Sequence, residues 1–159
     1  MTTTIRAATA QDADAVARIW AAGWRDGHLG HVPEELVAMR TPESFADRAA
    51  ARVADTTVAV VGQDVAGFVM VVADEVEQVY VDRAHRGSGV AVALLDEAER
   101  QVAAGGHATA WLAVNAGNAR ARAFYERRGW RDEGDVEYPA ATAAGTFVVT
   151  CRRYTRATR

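Results

Sequence analysis

The chain has 159 residues, half of them hydrophobic, which suits one compact domain with a core of ordinary size. Its formal charge of −3 comes from interleaved acids and bases, so no long basic stripe marks a nucleic-acid or membrane surface, and neither partner is expected. Cys151 stands alone and cannot close an internal disulfide, the opening MTTTIRAATAQD lacks the basic and apolar regions of a secretory signal, and apolar stretches such as Val65 to Ala73 fall far short of the roughly 20 residues that span a bilayer; the expected location is cytoplasmic.

Thr3 to Ala7 has the β-branched character of a first strand, and Thr9 with Asp12 offers a capping-box-like helix start. Val16, Ile19, Trp20, Gly23 and Trp24 then recur at helical spacing. Gly27 to Pro33 carries three turn-formers. Thr41-Pro42 reads as an N-cap followed by proline at the first helical position, opening a helix toward Val53. Thr56 to Val61 and Val65 to Ala73 read as a hairpin about Gly62-Gln63-Asp64, and Glu75 to Val81 is a third run of the same kind. Ser88 to Ala104 is a helix with Val90, Leu94, Leu95, Ala98 and Val102 along one side, stopped by Gly105-Gly106. A strand at Thr109 to Val114 follows, then a helix from Asn118 to Arg128 ended by Gly129, then strands around Trp130 to Tyr138 and Thr146 to Tyr154. No repeat or linker divides the chain, so residues 1–159 are expected to form one mixed α/β domain.

The stretch Val79-Tyr80-Val81-Asp82-Arg83-Ala84-His85-Arg86-Gly87-Ser88-Gly89-Val90-Ala91 carries the clearest chemical signal. A strand passes through a small-residue loop directly into a helix. A helix start exposes unpaired N–H groups and a partial positive charge, and glycines let an anion approach the backbone. Arg86 adds a cation. Taken alone, two glycines can also mean only a tight turn that needs positive φ. No Gly-Lys-Ser/Thr follows, so this is not a P-loop, and with two glycines it is not the dinucleotide fingerprint.

Arg86-Gly87-Ser88-Gly89-Val90-Ala91 resembles the Arg/Gln-x-x-Gly-x-Gly/Ala signature of the GNAT acetyltransferase superfamily, whose loop amides hold the pyrophosphate of coenzyme A. Trp111-Leu112-Ala113-Val114 with Asn118, then Phe124-Tyr125-Glu126 and Gly129-Trp130, resembles that family's asparagine and tyrosine motif. The resemblance covers nearly the whole chain in element order. It implies a central, mostly antiparallel mixed sheet of about seven strands flanked by helices. Within it, the third run of strand, Glu75 to Val81, and the fifth strand, Thr109 to Val114, would splay apart at a bulge to leave a cofactor cleft. It implies acetyl-CoA as cosubstrate, with Val79, Tyr80 and Val81 pairing their backbone with the pantetheine arm and Arg86 to Ala91 holding the pyrophosphate. Arg83 stands where proline is frequent, and Ala113 where some protein N-terminal acetyltransferases carry glutamate, which weakens an assignment to protein N-termini.

Acetyl transfer from a thioester to an amine needs a neutral amine, a polarised carbonyl and a proton for the departing thiolate. Asn118 and Tyr125 are seven residues apart and so share one helical face. The phenol of Tyr125 can protonate sulfur, and Asn118 can hydrogen-bond the pantetheine amides. The bland reading makes Tyr125 a core residue and Asn118 an N-cap. For the base, a period of two places Glu75 and Glu77 on one strand face with Val79 and Val81 beyond them. Glu75 matches the position of the general base in some family members and ranks first, Glu77 second, with a water chain as the alternative to both. The resemblance puts the acceptor under the first helices, so Trp24, His28 and His31 are the candidate acceptor contacts, while Trp20 and Trp24 also read as core. The histidines lack a third ligand at recognisable spacing, so no metal is expected. Arg120, Arg122, Arg127 and Arg128 read as a solvated helix face, with one arginine reaching the cofactor's adenosine phosphate as the alternative, and Cys151 has no local activator.

The reading is direct acetyl transfer from acetyl-CoA to a primary amine, on a small-molecule or peptide acceptor, in a ternary complex. A non-catalytic acyl-CoA-binding or sensing domain is the alternative, and a nucleotide-binding module a third. Acceptor identity stays open, and so does the oligomeric state, with a homodimer allowed.

Overall fold

The structure is a computed structural model that describes residues 2–158. Seven strands form one sheet in the order β1-β2-β3-β4-β5-β7-β6. Strand β1 (Thr3–Ala7) leads through a short helical turn into α1 (Ala13–His28), with the Thr9 amide donating to the Asp12 carboxylate at 2.8 Å. Helix α2 (Glu34–Met39) and helix α3 (Pro42–Ala51) follow, and the Thr41 hydroxyl caps α3 by accepting from the Ser44 amide at 3.1 Å. Next come β2 (Thr56–Val61), β3 (Asp64–Val72) and β4 (Glu75–Val81). Val61 pairs with Asp64, so the first hairpin turns on Gly62-Gln63 alone, one residue tighter than the sequence suggests. Helix α4 (Val90–Ala104), β5 (Thr109–Asn115), α5 (Ala119–Arg127) and the long hairpin β6 (Arg131–Thr142) and β7 (Gly145–Ala157) complete the chain.

All neighbours run antiparallel except β4 and β5, which are parallel and meet at one pair, Glu75 with Trp111. Beyond that pair the two strands diverge and the sheet opens. A bulge in β4 lies at the opening: Met70 pairs with Gln78 and Val71 with Val76, leaving Glu77 as the extra residue.

Two apolar clusters fix the layers. On one face, Leu94, Leu95 and Val102 of α4 pack with Val69, Leu112 and Tyr154, and Val79 and Val81 lie against them. On the other face, Trp20, Phe45, Phe68 and Met70 join α1 and α3 to the sheet. Gly67 allows α4 to sit tight on β3, because a Cβ there would come within 3.0 Å of the Leu94 side chain and 3.2 Å of the Val90 side chain. No helix among the described residues is long and apolar enough to cross a membrane.

Candidate functional site

Two cavities meet where the sheet opens. The larger, about 490 Å³, runs from the 86–91 turn along β4 to α5, and the second, about 270 Å³, lies under α1, α2 and the β6–β7 hairpin. They share a wall made by Val79, Tyr80, Asn118, Ala121 and Tyr125. Groups at that wall can touch ligands in both cavities.

The turn at the far end of the larger cavity leaves its backbone open. Gly87 and Gly89 adopt φ of +77° and +84°, and no atom lies within 4 Å of where a side chain would begin. The first intrahelical bond of α4 runs from the Ala93 amide to the Gly89 carbonyl, so the amides of the first turn have no helix carbonyl to pair with. Helix α4 starts at Val90, two residues later than the sequence suggests. Val90 therefore contributes at most its amide, since its side chain is core, and the Ser88 hydroxyl donates back to the His85 carbonyl. Gly87, Gly89, Ala91, Arg86 and Val81 line the cavity. Arg86 is not a free cation: it and Arg83 both donate to the Asp26 carboxylate at 2.9 Å, which holds that carboxyl below its ordinary range, Arg83 contributing most. Arg120 and Arg127 of α5 also line this cavity, whereas Arg122 is drawn inward to the Ala116 carbonyl and the Tyr154 hydroxyl.

Helix α1 roofs the junction through small residues. A Cβ on Gly23 would fall 2.3 Å from the Tyr80 ring, and one on Gly27 would fall 2.7 Å from the Asn118 amide nitrogen. Asn118 caps α5 with its carbonyl oxygen, accepting from the Ala121 amide at 3.2 Å, and this leaves its Nδ2 at the junction. The N-cap reading of Asn118 describes its carbonyl oxygen, and the amide nitrogen makes no part of that cap. Tyr125 lies seven residues further along, on the same wall. It is buried, burial pushes its phenol up to about 12, and its hydroxyl makes no hydrogen bond to a described residue.

The bulge changes the expected placement of the carboxylates. Glu75 and Glu77 do not share a face with Val79 and Val81, because the extra residue inverts the alternation; the valines face α4 and both carboxylates reach toward the other layer. Glu77 lines the smaller cavity and is held by Arg52 at 2.7 and 3.1 Å. Glu75 does not line it directly. The Tyr138 hydroxyl, from a residue that does, donates to Glu75 at 2.5 Å, and burial raises the Glu75 carboxyl despite that bond.

Trp20 is wholly core, ringed by Phe45 and Phe68. Trp24 is also buried but lines the cavity, with His28 stacked on it at 4.6 Å between ring centroids. The His28 Nδ1 donates to the Trp24 carbonyl at 2.8 Å, and burial lowers its imidazole to about 4. His31 is brought elsewhere: its ring packs on Gly117 and it is not part of the cavity lining. Cys151 lines the cavity with its thiol raised to about 11 by burial. Among the described residues no group of three or more His, Cys, Asp or Glu is placed to hold a metal ion. Sequence reasoning missed Tyr138 and the arginines Arg40, Arg48 and Arg52, all of which line the smaller cavity. Arg48 and Arg52, four apart at the end of α3, were the available signal for an inward basic face.

The sequence profile described as "Acetyltransferase (GNAT) family" matches residues 14–130, which spans both motifs and the roof of the site. The chain belongs to the GNAT acetyltransferase family. Solved structures share its fold. A GCN5-related N-acetyltransferase from Rhodopseudomonas palustris aligns with a TM-score of 0.74 and 20% identity, over 99% of this chain and 96% of that one. The PaiA N-acetyltransferase of Thermoplasma acidophilum, solved in complex with coenzyme A, aligns at 0.72 and 18%, over 96% and 99%. YncA of Salmonella typhimurium, described as a putative acetyltransferase with its cofactor acetyl-CoA, aligns at 0.70 and 17%, over 100% and 95%. No curated protein matches the chain.

Proposed function

We propose that this protein transfers an acetyl group from acetyl-CoA to a primary amine by direct attack in a ternary complex. The observation that carries the reading is the shared wall: Tyr125 and Asn118 border both cavities, so each can touch cosubstrate and acceptor at once. The larger cavity fits coenzyme A by its chemistry. An open turn with two left-handed glycines and unpaired helix amides suits a pyrophosphate, and the unpaired edge of β4 suits an amide-bearing arm. When bound, acetyl-CoA supplies the thioester that is the acetyl donor.

The chain's own groups then hold and move protons. Asn118 Nδ2 orients a carbonyl oxygen near the junction. The Tyr125 hydroxyl, buried and protonated at neutral pH, donates its proton to the leaving sulfur. The amine's proton is taken on the other side, by a water that hands it through the Tyr138 hydroxyl to Glu75. Desolvation raises Glu75 toward the range where a carboxylate is an effective base. Glu77 is the second candidate, and its tight pairing with Arg52 favours a positioning role for it. Cys151 sits in the cavity with a depressed tendency to ionise, which argues against an acetyl-cysteine intermediate.

Thiol release from acetyl-CoA, measured against a panel of amines, tests the reading. Acceptor-dependent release is expected, with intersecting rather than parallel lines in double-reciprocal plots. Slow hydrolysis with no acceptor dependence would favour a binding or sensing domain. Glu75→Gln and Tyr138→Phe should each lower kcat/KM by roughly 10²-fold and weaken the acidic limb of its pH profile. Equal kcat/KM in both variants and a large loss in Glu77→Gln would move the base to Glu77.

A further inference from the structure

The acceptor-side cavity holds more positive charge than it neutralises. Its charged lining is Arg40, Arg48 and Arg52 against one carboxylate, Glu77. Arg52 and Glu77 satisfy each other through two hydrogen bonds. Arg40 and Arg48 have no carboxylate within salt-bridge distance among the described residues. Arg40 is only 7% exposed, yet its guanidinium makes one hydrogen bond, Nη1 donating to the Ala141 carbonyl at 2.8 Å, and its Nε is buried without a partner. Arg48 lies over the Trp20 ring at 4.2 Å from its centroid, and its Nη1 is likewise buried and unpaired. Both remain cations at neutral pH although burial pulls them down, Arg48 to about 10. His28, the remaining basic group in the lining, is neutral there.

A buried and a half-buried cation without a counter-charge are costly in the free protein, and an anion in the cavity that both line offsets that cost. Guanidinium forks match the two oxygens of a carboxylate or phosphonate. We propose that Arg40 and Arg48 hold an oxyanion of the acceptor, so that the amine acetylated belongs to a small amino acid or aminoalkyl phosphonate and not to a polyamine or a lysine side chain. The inference rests on the acetyl-transfer reading and names its substrate class. The acceptor nitrogen gains the acetyl carbon, the carbon–sulfur bond breaks, the sulfur takes a proton, the amine loses one, and the oxyanion passes through unchanged. The same cations also disfavour the ammonium form of a nearby amine, which helps present the neutral nucleophile. A polycation such as spermidine meets only repulsion from the same pair.

The test uses matched acceptors: L-amino acids and aminoalkyl phosphonates, each beside its α-amide or decarboxylated amine, with spermidine as the cationic control. Turnover should be confined to anion-bearing members, and removing the anion should lower kcat/KM by roughly 100-fold. Arg48→Gln and Arg40→Gln should raise the acceptor KM by about tenfold or more while the KM for acetyl-CoA stays within about twofold. Arg40→Lys, which keeps the charge and loses the fork, replaces Arg40→Gln if that variant does not fold. Equal turnover of neutral amines or spermidine, or an unchanged acceptor KM in Arg48→Gln, overturns the proposal. If no amine turns over, the acetyl-transfer reading fails, and the anion site is judged separately. Saturation-transfer NMR with N-acetyl amino acids and their amides, on protein saturated with coenzyme A, then decides it. Binding of the acids that is lost in Arg48→Gln supports the site, and no binding overturns it.

Discussion

Tyr125 is one of the five residues that border both cavities, and its hydroxyl has no partner among the described residues to lose. Tyr125→Phe keeps the packing against Trp130 and Tyr154 and removes only the proton donor. We expect kcat to fall by roughly 10²- to 10³-fold, acetyl-CoA affinity to change little and the melting temperature to hold, since no buried hydrogen bond is broken. A drop in melting temperature with normal turnover would return Tyr125 to the core. His28 answers to pH instead. Its folded value near 4 lies below the usual 6.5, so its contribution to stability is complete above about 6.5 and is lost as pH falls toward about 4, where the unfolded chain binds the proton and the folded one resists it. Stability measured by urea unfolding should therefore decline more steeply between those limits in the parent than in His28→Asn. An identical slope in both would mean the imidazole is hydrated in solution.

At the scale of elements, the turn before α4 allows a controlled comparison. Gly89 and Gly106 cap opposite ends of that helix region, both with positive φ and both with no atom within 4 Å of a new Cβ. Alanine at either should cost about 1 kcal/mol of folding stability through the backbone alone. Only Gly89→Ala should also weaken acetyl-CoA binding in calorimetry, because only that turn faces the cavity. Losses of affinity in both would make the effect one of helix stability. This turn was legible because all its information is local: strand, glycines, helix start and a cation fall within thirteen consecutive residues. The register of Asn118 and Tyr125 on α5 was legible for the same reason. The bulge at Glu77 was not, since an inserted residue changes the alternation without changing residue types, and the faces of the two glutamates came out differently from the simple period. Tyr138 and Arg40 were invisible for a different reason. Tyr138 meets Glu75 although β5 and β7 lie between their strands in the sheet, and Arg40 is held at the cavity by the Ala141 carbonyl, a hundred and one residues further along the chain. Such encounters depend on sheet order, which no local period encodes.

For the whole molecule, the parting of β4 from β5 divides the sheet into β1-β2-β3-β4 and β5-β7-β6, joined at one residue pair and backed by the common cluster on α4. Backbone groups that turn into the gap have no strand to pair with, so they behave as an edge inside the protein. Amides on the β4 side of the gap should exchange with deuterium quickly in the free protein and at least roughly tenfold more slowly with coenzyme A bound, while amides between β2 and β3 should not change. Equal protection in both states would mean that the arm of the cosubstrate does not dock on β4. The molecule thus has four sheet margins to guard against pairing with a neighbour. The outer two are defended by the shortness of β1 and by Pro139 in β6, and the inner two by the elements that enclose the cleft, α1, α5 and the β6–β7 hairpin. Filling the cleft should therefore also protect the protein from association, and on heating the free protein should scatter light at a lower temperature than the coenzyme-bound protein by more than the difference in their unfolding midpoints.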